Sequence, residues 1–414
     1  MNRIRGSRQR VAVTGLGVKT AAGNDLETFW GTLCRGRSMA RQVTAFDAGT
    51  LSVDFACEVR DFDPRAYMDA KSAKRMDRTA QLGFAAATDA LADAGAHAVP
   101  PEQRGVVTGT GHGGTRTQED EFGAVPTRGY QRVSPHYVPM TMANATAGLL
   151  SIRHELKGPS LCICTACASG AQAIGEGARL VREGAADLVL AGGCESAVSP
   201  LTMSSFARMG ALSTRVSDPE RASRPFDVDR DGFVMGEGAG FLVLENWDHA
   251  VSRDATIYGE LAGYGRNSDA HHITAPSPDG SGARTCMQQA LTDAGLTTDD
   301  IVHINAHGTS TPLNDVTEAK AIVELFSRRF PVTSTKSVIG HLIGAAGAVE
   351  AVATLLTMRE GVAHPTANLE RRDPECDLDV VADGVRKLPE GPMLSNSFGF
   401  GGHNASLAFL PAAL

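Results

Sequence analysis

Apolar residues fall along this chain in two alternating rhythms. Short apolar runs recur at residues 10–14 (RVAVT), 104–108 (RGVVT), 160–164 (SLCIC), 187–191 (DLVLA) and 241–245 (FLVLE). Such runs are short for helices and lack polar alternation, the pattern of strands covered on both faces. Between them, residues 74–94, 141–156 and 168–183 have helical composition and period. The alternation predicts an α/β protein with a mostly parallel sheet system and covering helices. The first strand is expected to end in a turn at Gly15–Gly17.

The pattern also repeats. Residues 90–95 read ALADAG and residues 290–295 read ALTDAG, each closing a helix with Gly at the expected C-terminal position. Each leads into an apolar strand and a Gly-rich loop, VVTGTGHGG in one case and VHINAHGTS in the other. A second pair keeps its own register. Gly170-Ala171 precedes Arg182-Glu183-Gly184 by the same spacing as Gly347-Ala348 precedes Arg359-Glu360-Gly361. Either match alone fits coincidence among Ala/Gly-rich helices. Two in the same order predict a duplicated α/β unit, divided near Asp254 into residues 1–254 and 255–414 without a flexible linker.

Composition narrows the function classes. Lys plus Arg is 39 and Asp plus Glu 47, a net charge of −8, which argues against a general nucleic-acid or membrane-surface binder. The 45 glycines among 414 residues, without low-complexity repeats, predict tight turns and close backbone approaches. Eight cysteines in so long a chain are too sparse for a secreted disulfide scaffold and predict reduced thiols. The basic start, residues 1–10, runs directly into VAVTGLGV, which reads as a strand rather than a signal segment. No apolar run approaches the ~18 residues of a membrane span. The expected location is the cytoplasm.

Four segments carry candidate chemistry. In TACASG, Cys167 ends a strand and opens a helix, where free amides and the helix dipole favour a thiolate. A buried structural cysteine is the alternative, and it is the reading taken for Cys162 and Cys164. A metal site on these three cysteines lacks a second ligand cluster. In NAHGTSTPLND, His307 sits in the loop after a strand, the place where α/β proteins put catalysis. In TKSVIGHLIGAAGAVE, Lys336 and His341 flank a Gly-rich entry into a helix that the repeat matches to the one opened by Cys167. In NSFGFGGHN, a Gly-rich turn offers amides and two aromatic rings, Phe398 and Phe400. A thiol, two histidines, a lysine and a donor-rich loop suit acyl-thioester chemistry on a cysteine.

In this order, and together with SRPFDVDRDGFVMGEGAG, these motifs resemble the condensing enzymes of the thiolase-like superfamily, of the β-ketoacyl-acyl carrier protein synthase II type. The likeness runs from Val11 almost to the C-terminus. It implies a five-layered αβαβα sandwich of two related halves, the first with the nucleophile and the second with the His/His/Lys set. It implies that Cys167 takes an acyl chain from a carrier-protein thioester, and that His307 and His341 bind a malonyl thioester and promote its decarboxylation. The amides of Cys167 and Phe400 would form an oxyanion hole, with Lys336 organising the histidines and Glu350 and Asp315 in support. Thr309 and Thr311 would meet the carrier's phosphopantetheine, Phe398 and Phe400 would gate the pocket, and Phe206 would touch substrate. No metal or organic cofactor is implied. The partners implied are an acyl carrier protein, docked on Lys71, Lys74 and Arg75, and a second subunit, either a copy or a related chain-length-determining chain.

Two departures refine this picture. His112 in GTGHGG stands where elongating relatives have an apolar residue against the acyl chain, and His136-Tyr137 replaces an aromatic pair. Polar groups against an alkyl chain are costly. His112 and Tyr137 therefore favour a conjugated or oxygenated acyl chain and a ketosynthase of type II polyketide, even polyene, biosynthesis. Housekeeping fatty-acid elongation is the alternative. Thiolytic cleavage fits less well, because the last cysteine, Cys376, lies outside any Gly motif. A non-catalytic partner subunit is opposed by the joint presence of Cys167, His307 and His341.

Overall fold

The computed structural model describes residues 9–412, so most of the basic N-terminal start lies outside the described residues. Eleven strands form the main sheet system: β1 (Val11–Thr20), β2 (Arg104–Gly109), β3 (Ser160–Ile163), β4 (Leu188–Ser196), β5 (Glu237–Asn246), β6 (Gly259–Ser268), β7 (His303–Asn305), β8 (Pro331–Thr333), β9 (Asp379–Val380), β10 (Met393–Gly399) and β11 (His403–Leu410). Their spatial order is β9-β8-β7-β10-β11-β6-β1-β5-β4-β2-β3.

This order contains the same pattern twice. From β1 outward, β5 and then β4 pair antiparallel, followed by β2 and β3 in parallel. From β6 outward, β11 and β10 pair antiparallel, followed by β7 and β8 in parallel. The two runs pair at the seam through Ala12↔Glu260 and Val13↔Gly259. Through that seam the two related five-stranded runs, with β9 at one edge, join into one eleven-stranded system.

Five helices explain the layers: α1 (Arg78–Ala94), α2 (Ser169–Arg182), α3 (Ser281–Ala294), α4 (Pro312–Leu325) and α5 (Ala346–Glu360). Helix α1 covers β1, β5 and β4, and α3 covers β6 and β11. Helices α2 and α5 pack against each other between the sheets. A side chain at Gly170 would lie 2.9 Å from the Ala348 amide, and one at Gly347 3.0 Å from the Ala171 amide. The paired glycines let the two backbones meet. The central apolar cluster contains Val13, Ile174, Val349 and Leu407, with further clusters under α1 and under α3 and α4. This is the five-layered thiolase-like sandwich of two related halves. Among the described residues no helix is long and apolar enough to cross a membrane.

Local differences from the sequence reading have physical causes. The first strand does not turn at Gly15–Gly17 but runs to Thr20. Both glycines lie beneath α1, where a Cβ would stand 2.2 Å from the Ala90 carbonyl oxygen at Gly15 and 2.0 Å from that of Ala86 at Gly17. On β6 a Cβ would likewise stand 2.1 Å from the Ala290 carbonyl oxygen of α3 at Gly263 and 2.0 Å from that of Cys286 at Gly265. The helix expected over 74–94 starts at Arg78, because the Asp77 carboxylate caps it by accepting the Thr79 amide.

Candidate active site

The nucleophile turn comes first. Strand β3 ends, and Ala166–Ala168 forms one tight turn before α2. Ala166 is held at φ 49, a left-handed conformation that costs an ordinary residue energy. Ser169 fixes it: its Oγ accepts the Thr165 amide at 2.9 Å and donates to the Ala166 carbonyl at 2.6 Å. The turn puts Cys167 at the mouth of α2. The second half repeats the device. Ile343–Ala345 forms the same turn before α5, and Ile343 is at φ 46. Gly344 therefore occupies the position that Cys167 holds in the first half.

The two histidines reach the thiol from the second half. His341 Nε2 lies 3.0 Å from Cys167 Sγ, and its Nδ1 accepts the Ile343 amide at 3.2 Å. His307 stands edge-on to His341, ring centres 5.5 Å apart, and its Nδ1 is 3.2 Å from Lys336 Nζ. An amide and an ammonium only donate, so both Nδ1 atoms are acceptors and both hydrogens sit on Nε2. Burial holds both histidines well below the ordinary imidazole range, and the Lys336 charge pushes the same way. Near pH 7 they are neutral N–H donors.

Lys336 is itself buried. It donates to the His307 carbonyl at 2.7 Å and to the carboxylate of Glu350. Burial raises Glu350 to about 7, against the pull of Lys336. Asp315 accepts the amides of Ser310 and Phe226, tying the His307 loop to the 226 segment. Burial pushes the Cys167 thiol up to about 11; the Lys336 charge and the Phe400 and Cys167 amides act against it but do not win. The expectation of a lowered thiol at this helix N-terminus is thus reversed, because desolvation of the thiolate exceeds the dipole's contribution.

A cavity of about 360 Å³ opens above these groups. Cys167, His307 and His341 line it with Phe206, Thr309, Thr311, Phe398 and Phe400. Thr309 and Thr311 share a hydroxyl contact of 2.8 Å. Phe400 leans on Phe206 and Phe398 stands edge-on to His307. His112 and Tyr137 do not line this cavity. The His112 ring is exposed and stands edge-on to Phe206, with centres 6.3 Å apart. Tyr137 packs against Phe122. Lys71, Lys74 and Arg75 lie exposed around one short helix, Ala70–Ala73. Cys162 and Cys164 do not converge with Cys167; their thiols turn to the carbonyls of Ala143 and Gly111.

Two buried carboxylates were missed by the sequence reading. Glu318 accepts the His307 and Gly308 amides, each at 2.8 Å, and burial raises it to about 7. Its signal was an acid on the helix that follows the histidine loop. Glu195, at the end of β4, accepts amides of Gly111, His112 and Gly344. Its signal was an acid ending an apolar central strand.

The β-ketoacyl synthase N-terminal domain model matches residues 8–250, and the C-terminal domain model residues 258–370. The chain belongs to the β-ketoacyl synthase family. It is 48% identical over 407 residues to a 3-oxoacyl-[acyl-carrier-protein] synthase 2 of Synechocystis sp., covering 97% of this chain and 98% of that one. Among solved structures, a β-ketoacyl synthase from Burkholderia phymatum superposes with a TM-score of 0.91 at 37% identity, covering 98% of this chain and 100% of that one. The ishigamide ketosynthase/chain length factor gives 0.91 at 35% identity, covering 98% of this chain and 99% of that one. The chain is accordingly an acyltransferase of the condensing type.

Proposed function

We propose that this β-ketoacyl synthase condenses an acyl chain held on Cys167 with a malonyl unit presented by an acyl carrier protein. The Cys167 sulfur attacks the acyl-carrier thioester, the acyl–sulfur bond to the carrier breaks, and the carrier leaves as the thiol. The Nε2–H groups of His307 and His341 then donate to the malonyl thioester carbonyl, stabilising the enolate as carbon dioxide departs. That carbanion attacks the Cys167 thioester, whose developing oxyanion is received by the amides of Cys167 and Phe400. The product is a β-ketoacyl carrier two carbons longer, and the cysteine is regenerated. The observation that carries this reading is the pair of neutral histidines, each with Nδ1 occupied, against one buried thiol.

Residues 1–254 supply the nucleophile and residues 255–414 supply His307, Lys336 and His341. Thr309 and Thr311 offer hydroxyls to the pantetheine, and Lys71, Lys74 and Arg75 offer charge to an acidic carrier. A second subunit of the same fold would cover the edge strand β3, where Leu161 is 43% exposed. It would be a copy of this chain or a chain-length-determining relative. The reaction takes place in the cytoplasm.

Two acyl classes fit. The 48% identity to a 3-oxoacyl-[acyl-carrier-protein] synthase 2 favours fatty-acid elongation. The 35% identity to the ishigamide ketosynthase/chain length factor, over 98% of this chain, favours a polyketide-type chain. Elongation of saturated C8–C14 and polyunsaturated carriers by the purified chain separates them. The core mechanism is tested by Cys167→Gln, which should abolish condensation and retain malonyl-carrier decarboxylation; unchanged condensation overturns it.

A further inference from the structure

Gly344 stands in the second half where Cys167 stands in the first, and its amide is also engaged. At Cys167 the helix N-terminus faces a thiol. At Gly344 it faces the carboxylate of Glu195, whose Oε2 accepts the Gly344 amide at 3.1 Å and the Gly111 amide at 2.5 Å. Oε1 accepts the Thr110 hydroxyl at 3.1 Å and the His112 amide at 3.3 Å. Glu195 is fully buried and forms no ion pair within 4 Å among the described residues. These four donors occupy both carboxylate oxygens; burial pushes Glu195 up, and the facing His112 ring and the donors act against it.

The packing is as tight as the bonding. A Cβ on Gly344 would lie 2.2 Å from the Gly111 amide nitrogen, and one on Gly111 2.9 Å from Glu195 Oε2. The carboxylate therefore clamps the 110–112 turn onto the turn before α5. The peptide next to Gly344 is that of Ile343, whose N–H holds His341 Nδ1 and so keeps the hydrogen on Nε2.

We propose that Glu195 is a positioning residue for His341, fixing the turn that sets the histidine's tautomer and aim at the reacting carbonyl. The inference rests on the reading of His341 given above. It assigns a task to a buried charge that touches no cavity-lining role of its own. Its negative charge also opposes thiolate formation at Cys167, so neutralising it has a second, separable consequence.

Malonyl-carrier decarboxylation in the Cys167→Gln background is the first readout. Adding Glu195→Gln should lower kcat tenfold or more with KM within twofold, because an amide nitrogen cannot accept two of the four donors. With Cys167 intact, Glu195→Gln should shift the pH titration of iodoacetamide alkylation to lower pH. Glu195→Asp keeps the charge but is shorter; it should lose decarboxylation and leave the alkylation titration in place, and it carries the test alone if the Gln variant does not fold. Decarboxylation within twofold of the background overturns the proposal. So does a loss that only tracks the fraction of unfolded protein while the alkylation titration stays unmoved. His341→Ala in the same background is the control: if it leaves decarboxylation intact, the reading of the site fails rather than the role of Glu195.

Discussion

At Cys167 two effects oppose each other, and the larger one is invisible in a sequence. The helix N-terminus, two amides and the Lys336 charge favour the thiolate; full burial disfavours it and leaves the thiol near 11. A group titrating there is protonated at neutral pH, so the thiolate fraction grows about tenfold per pH unit below that value. Alkylation of the free protein by iodoacetamide should climb in that proportion from pH 7 to 10. Lys336→Met removes a charge that lowers the thiol, so the titration should move to higher pH. Stopped-time inactivation assays would show it, and a flat profile would contradict the burial argument. The residues of the site were legible because their types and loop positions mark acyl-thioester chemistry. The electrostatic balance was not, since it depends on what covers the thiol. The same limit explains His112: its motif position suggests the acyl chain as a neighbour, whereas the ring packs against Phe206 and does not line the cavity.

At the scale of elements, the misread first strand shows what a glycine pair conceals. GLG in a sequence signals a turn, yet in β1 the glycines are places where α1 lies on the strand backbone. The matching contacts of Gly263 and Gly265 under α3 show that the close approach belongs to the repeated unit itself. The repeat was legible because both halves keep the helix-ending ALxDAG and the spacing of the central helices. The mid-strand glycines were not, because a missing Cβ reads alike in a turn and under a helix. Gly15→Ala places a methyl 2.2 Å from the Ala90 carbonyl oxygen, a contact that neither rigid layer can relieve cheaply. Overpacking of this kind costs about 1–3 kcal/mol or more. A lowered urea midpoint with an unchanged slope is expected, and a midpoint equal to the parent would mean that α1 can lift from the strand.

Over the whole molecule, a net charge of −8 sets a constraint on any acidic carrier partner. Uniformly spread, that charge would repel it; binding then requires a local reversal of sign. Lys71, Lys74 and Arg75 supply one, grouped on a single exposed turn, and none of the three forms an ion pair among the described residues. Their side chains are free to meet carboxylates, and exposed charges of this kind act mainly on encounter. The Debye length falls from ~30 Å at 0.01 M salt to ~10 Å at 0.1 M, so the attraction is short-ranged under working conditions. Reversing all three charges with Glu should raise KM for acyl carrier protein about tenfold while kcat stays within twofold, since none of them lines the Cys167 cavity. The parent's kcat/KM should fall as salt rises, and the triple variant should lose that dependence. Acyl-pantetheine without its carrier should serve parent and variant equally. Equal KM values for the carrier in the two proteins would place the docking surface elsewhere.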